Sequence, residues 1–168
     1  MKKLTVLLFL FSLNFVGFAQ SFQDSYIEGI QKMDEKKYNN AIEKFDLAIK
    51  TNPDFEEAYL KRGACYVFLN DTKKAVLDFS KVIELNPKNG LAYFNRGVVL
   101  KTLADYKNAI LDFGSAIKFS GNLKFAYYNR ALCKLALDDF KNACLDLSKA
   151  ADLGVENATE IYNYTCKK

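Results

Sequence analysis

The sequence predicts an all-α solenoid of four helix-turn-helix units closed by a C-terminal capping helix. Three registers predict it. Small residues recur every 34 positions at Gly29, Gly63, Gly97 and Ala131, and a second small register runs through Ala41, Ala75, Ala109 and Ala143. A large apolar register keeps the same interval through Phe45, Phe79, Phe113 and Leu147. One fixed period of this length marks a repeat architecture, in which each unit buries its apolar face only by stacking on its neighbours.

The elements follow from the pattern inside one copy. In the third, apolar residues fall at helical intervals from Leu91 to Leu103, stop at Ala104-Asp105, and resume from Tyr106 to Phe119. This predicts two antiparallel helices joined by a short turn. Their closest crossing needs small side chains on both partners, which pairs Gly97 with Ala109 and Gly63 with Ala75. Phe79 and Phe113 fill the space beside that crossing. Pro53 and Pro87 cannot continue a helix and close the first two copies, while Gly121 and Gly154 close the others. Fourth and fifth registers, Ala48, Val82, Ala116, Ala150 and Tyr59, Tyr93, Tyr127, agree with this phase, with Ser25 in the place of the first tyrosine. The repeat region is 20–155, with copies at about 22–55, 56–89, 90–123 and 124–155. The tail, 156–168, is too short for another copy. Its apolar residues Ala158, Ile161, Tyr162 and Tyr164 predict a helix covering the last open face.

Residues 1–19 read as a secretory signal peptide: Lys2 and Lys3, an apolar run from Leu4 to Phe18, and the small-x-small exit Gly17-Phe18-Ala19. Cleavage is expected after Ala19, leaving a periplasmic or secreted chain with no membrane contact in the mature form; the alternative is an uncleaved membrane anchor, against which stand the small-x-small exit and the lack of a following Lys/Arg cluster. The sequence holds 24 basic and 20 acidic residues, and loss of two leader lysines lowers the formal charge from +4 to +2. Without basic blocks, this balance argues against nucleic acid as a partner. There is no histidine, which removes serine–histidine and cysteine–histidine nucleophiles and every histidine-ligated metal site. No cofactor or metal is expected. Asp105, Asp138 and Asp139 fall in turns, where they read as helix caps rather than a paired acid and base, so the chain is not expected to be an enzyme.

Charge supports the register. Arg62, Arg96 and Arg130 are each followed sixteen residues later by Asp78, Asp112 and Asp146, whereas copy one has Glu28 and Lys44 in those places. The joint reversal of sign predicts a structural ion pair between the two helices of one copy, worth up to about 1 kcal/mol where partly shielded.

These residues resemble the tetratricopeptide repeat, whose pattern of aromatic, Gly/Ala, Tyr, Ala, Phe, Ala and Pro the sequence follows from about Phe22 to Val155. The resemblance implies a right-handed superhelix whose concave face is formed by the first helix of each copy. Ser25 and Lys32 in copy one, Lys134 in copy four and Val82 depart from the pattern and suggest looser packing at the ends. The leader ending in Phe-Ala-Gln and the Asp-Leu-Gly at the cap are similar to those of exported repeat proteins of Bacteroidetes-type bacteria.

Within this fold, helical spacing of about 100° per residue turns Cys133 and Cys144 to opposite sides of their copy. Cys65 and Cys133 share one slot two copies apart, beyond disulfide reach. The chain's four cysteines thus leave Cys144 with Cys166 as the expected bridge, the alternative being four free thiols.

The resemblance also implies a partner-binding groove, lined by Tyr26, Ile30 and Met33; Leu60, Val67 and Phe68; Leu91, Phe94, Asn95, Val98 and Lys101; and Phe125, Tyr128, Asn129 and Leu132. Asn95 and Asn129 stand where the family's groove asparagine can hold a ligand's backbone. The basic clamp that grips a C-terminal carboxylate in some members is not reproduced. A mostly apolar groove of this size implies a cover. The expected function is a scaffold that binds a protein or peptide segment outside the cytoplasm, as an adaptor or assembly factor in the cell envelope. The alternative is a homo-oligomer that buries the groove or an open solenoid end against itself.

Overall fold

The computed structural model describes residues 22–121 and 123–167; the expected signal peptide lies outside them. All regular elements among the described residues are helices: α1 over 22–34, then α2 (Tyr38–Thr51), α3 (Glu56–Phe68), α4 (Thr72–Leu85), α5 (Gly90–Thr102), α6 (Tyr106–Ser120), α7 (Lys124–Leu135), α8 (Phe140–Asp152) and α9 (Glu156–Cys166). The fold is the all-α repeat solenoid that the 34-residue period predicts. No helix among the described residues is long and apolar enough to cross a membrane.

Local signals set the boundaries. Asn89 caps α5 by accepting from the Ala92 N–H at 2.9 Å. Asp105 and Asp139 accept from the Asn108 and Asn142 N–H groups at the starts of α6 and α8, each satisfying one of the donors a helix start leaves unpaired. Asp138 is not a cap. It sits in the turn with φ 59°, in register with Lys36, Asn70 and Ala104, all at φ 58–59°. Asn52 and Asn86 accept from the N–H groups of Asp54 and Lys88, folding the chain back across Pro53 and Pro87 where α2 and α4 have ended.

The described residues divide into two compact units, separated after Asp71. In the first, Ala41, Phe45 and Cys65 are buried, with Tyr26, Ile30, Met33, Tyr38 and Ile42 packed on them. Copy one lacks the repeat's tyrosine at Ser25, yet its packing is not loose. Phe22 and Tyr26 each meet the Phe55 ring at 5.0 Å, and Tyr26 meets Phe45 at 5.8 Å. Neighbouring ring positions thus supply the aromatic volume missing at Ser25.

In the second unit, successive helices pack in chain order from α4 to α9, and α5 also touches α7. One core gathers Ala109, Phe113, Ala116, Ala126 and Cys133; a second gathers Ala131, Leu147, Ala150, Val155 and Ala158 under α9. Ile161 and Tyr162 pack on this second cluster, which a solenoid end must cover. Tyr164 does not share that role, being 73% exposed. The departures at Val82 and Lys134 leave no slack. Val82 is fully buried, and the Lys134 ammonium reaches Asp146 at 2.7 Å.

Two close approaches explain the small-residue register. A Cβ on Gly29 would stand 2.5 Å from the Phe45 ring, and one on Gly97 would stand 2.9 Å from the Phe113 ring. Copy four carries a Cβ at Ala131, and its partner in the second core is the smaller Leu147. Volume added on one helix is removed from the other, as a close-packed interior requires.

Candidate functional site

A tyrosine and an arginine on the first helix of a copy form a repeated unit with an aspartate on the second. Arg96 lies over the Tyr93 ring with 5.7 Å to its centroid, and Arg130 lies over Tyr127 at 5.6 Å. Arg96 donates through Nε and Nη2 to the two Asp112 oxygens, both at 2.8 Å; Arg130 holds Asp146 the same way at 2.8 and 2.6 Å. Asp112 and Asp146 are buried, so the bidentate geometry offsets their desolvation. The hydrogen-bonded Asp112 carboxylate holds the Arg96 guanidinium above its ordinary pKa against the opposing effect of burial. In copy one the charges are reversed, with Lys44 on Glu28.

The arginines also reach backwards, which the sequence reading did not anticipate. Arg62 pairs with Asp46 on α2, and Arg96 donates to the Ser80 hydroxyl on α4 at 3.0 Å. The preceding copy is therefore a partner too, through a residue two positions beyond Lys44.

The expected groove residues divide by burial. Tyr26, Ile30 and Met33 pack on the first unit's core, and burial, reinforced by the Glu57 charge, raises the Tyr26 phenol. Phe94 and Val98 pack on the cluster around Phe113, with 5.9 Å between the Phe94 and Phe113 ring centres. Tyr128 packs on the cluster beneath α9. Leu60, Asn95, Lys101, Asn129 and Leu132 are half-buried. Val67, Phe68, Leu91 and Phe125 are exposed, by 41, 60, 48 and 52%; Phe68 keeps that exposure although one face stacks on Tyr38 at 4.6 Å.

The polar members are not equivalent. The Lys101 ammonium donates to the Asn129 side-chain oxygen, and the Asn129 amide nitrogen donates to the Phe125 carbonyl at 2.8 Å. Both ends of that amide are engaged, whereas the half-buried Asn95 side chain makes no hydrogen bond among the described residues. Cys144 and Cys166 form a disulfide with their Cα atoms 5.8 Å apart, tying α8 to α9; Cys65 and Cys133 are buried free thiols. No cluster of metal-ligating side chains occurs among the described residues.

A second apolar feature lies on the second helices. Leu77, Leu111 and Leu145 are 69, 68 and 65% exposed and recur at the repeat interval. At about 100° per residue, Leu111 points roughly 200° from both Ala109 and Phe113, so helical spacing alone directs it away from the core.

The sequence model of the tetratricopeptide repeat matches residues 56–89, and a second model of the same repeat matches 79–110. Residues 56–110 thus carry tetratricopeptide repeats. Among solved structures it is similar to MamA (residues 41 to end) from Desulfovibrio magneticus RS-1, with TM-score 0.81, 19% identity, and 86% of this chain and 83% of that one covered. It is also similar to YrrB, described as a tetratricopeptide-repeat protein with an unusual peptide-binding site (TM-score 0.75, 20% identity, 86 and 76% covered). A third is the first repeat domain of Spaghetti (RPAP3), bound to an HSP90 peptide (TM-score 0.69, 21% identity, 71 and 94% covered). At these identities the likeness is one of fold. None of the curated proteins matches the sequence.

Proposed function

We propose that this protein is a tetratricopeptide-repeat interaction scaffold that holds an apolar protein segment against its first helices, acting outside the cytoplasm as an adaptor or assembly factor of the cell envelope. The observation that carries this reading is the exposure of Leu91 and Phe125 on α5 and α7, two first helices that touch, beside the unengaged Asn95 amide. Apolar side chains anchor the segment, and the amide pairs with its backbone. YrrB and Spaghetti, by their descriptions, bind peptides on the same fold, which supports a binding role. The external location rests on the leader sequence alone.

The test is affinity capture from the native envelope fraction with the mature protein, beside a Leu91→Lys, Phe125→Lys variant. Both positions are exposed, so the variant keeps its fold. A partner held by the parent and lost by the variant supports the reading; equal capture by both overturns it. N-terminal sequencing of the exported chain is expected to start at Gln20.

Self-association is a second reading, favoured by the exposed leucines of α4, α6 and α8. A row of this kind commonly marks a contact surface. Sedimentation of the parent would show a mass rising with concentration, and Leu111→Glu would abolish the rise.

A further inference from the structure

A recess of about 480 Å³, within the range of ligand sites, opens between α7 and α9. Tyr128 of α7 forms one side, and Asn157, Glu160, Ile161 and Tyr164 of α9 form the other. The α9 residues are spaced at 157, 160, 161 and 164, which places them on one face of that helix. The capping helix thus presents a face to this recess as well as closing the solenoid.

The lining has a definite chemistry. Ile161 packs on the core cluster beneath α9 and gives an apolar surface, and two phenol rings stand beside it. Glu160 has no ion-pair partner among the described residues, and the nearby Lys167 ammonium lies over the Tyr162 ring at 5.9 Å. Apolar surface and aromatic faces next to an unneutralised carboxylate suit a group with an aliphatic stem and a cationic head. A carboxylate ligand meets only repulsion from Glu160.

We propose that this recess is a subsite for a lysine or arginine side chain of the bound segment, with the stem on Ile161 and Tyr128 and the charge on Glu160. The inference rests on the reading of the first helices as the binding face, because Tyr128 belongs to both. It gives that reading a polarity: the segment carries a basic residue where it passes the capping helix, beyond the apolar anchors at Leu91 and Phe125.

The test uses the full mature chain and two small probes, Nα-acetyl-arginine methylamide and its neutral citrulline counterpart, titrated by NMR. Arginine is expected to shift the signals of Tyr128, Glu160 and Ile161 in a saturable way, with citrulline at least about tenfold weaker. Glu160→Gln should lower arginine affinity about tenfold while helical content is unchanged. Equal response to the two probes, arginine affinity unaltered by Glu160→Gln, or no shift at these residues would each overturn the proposal. The Leu91→Lys, Phe125→Lys variant should keep the arginine response. Failure of the apolar face and failure of the basic subsite are thereby read in separate experiments.

Discussion

The Lys101 ammonium on α5 donates to the Asn129 side chain on α7, linking the first helices of copies three and four. The one cation among the expected groove residues is therefore occupied by an internal acceptor, which a carboxylate ligand would have to displace. Lys101→Met is expected to cost about 1 kcal/mol, the usual net value of one hydrogen bond, in urea unfolding. It should leave the salt dependence of partner capture unchanged.

Gly97 and Phe113 form a volume pair whose counterpart in copy four is Ala131 and Leu147. Gly97→Ala would set a Cβ 2.9 Å from the Phe113 ring. The expected loss is about 1–3 kcal/mol, the usual cost of overpacking. Phe113→Leu alone should also destabilise, by opening a void. The double variant reproduces the copy-four pairing and should be more stable than the sum of the single changes predicts, by at least about 0.5 kcal/mol. Additive losses in denaturant unfolding would refute the pairing.

Ala104 adopts φ 58° in the turn between α5 and α6, a region disfavoured by about 1–2 kcal/mol for residues with a Cβ. Ala104→Gly relieves that strain, while the added chain entropy of the unfolded state offsets about 0.5–1 kcal/mol of the gain, so a net stabilisation of about 0.5–1 kcal/mol is expected. Thermal unfolding of the two chains measures it.

The fold was legible because residues such as Phe45, Phe79 and Phe113 repeat at one interval, so a misread helix in one copy is corrected by the others. The Arg96–Asp112 and Arg130–Asp146 pairs followed from the same logic, because both partners lie inside one copy and the charge reversal at Glu28 and Lys44 checks them. What was not legible depends on rotation between neighbouring helices. Arg62 reaching Asp46, Lys134 reaching Asp146 and Lys101 reaching Asn129 each need a long side chain to choose among several acceptors within its radius. The left-handed turn residues were hidden for another reason: Lys36, Asn70, Ala104 and Asp138 share a conformation but no side-chain chemistry. The recess at Tyr128 needs the angle of α9 against α7, and no periodicity encodes it.

Cys144 and Cys166 close a loop with sequence separation 22, for which chain-entropy arguments give about 3 kcal/mol of stabilisation. Reduction is expected to lower the unfolding free energy by that amount, read as a fall in the urea midpoint. Hydrogen exchange should accelerate first in α9, which the bridge holds to α8, and last in α6, which has neighbours on both sides. Uniform acceleration would show that the bridge acts on the whole fold and not on the cap.

Cys65 and Cys133 are fully buried, and burial pushes both thiols up to about 11, with Lys61 and Lys101 respectively opposing it. An unfolded thiol ionises near 8.5. Between these values the folded state holds protons the unfolded state has released, so the contribution to stability is fully present below about pH 8.5 and is lost as pH rises toward 11. The loss is on the order of 2 kcal/mol per thiol by pH 10.5. Urea midpoints of the parent should fall more steeply between pH 8.5 and 10.5 than those of Cys65→Ala, Cys133→Ala, whatever the variant's starting stability. Iodoacetamide at pH 8 should leave both thiols unmodified in the folded chain, because the nucleophile is the thiolate, and alkylate both once the chain is unfolded without reductant. Parallel pH slopes, or rapid labelling of the folded chain, would show that these thiols are open to solvent.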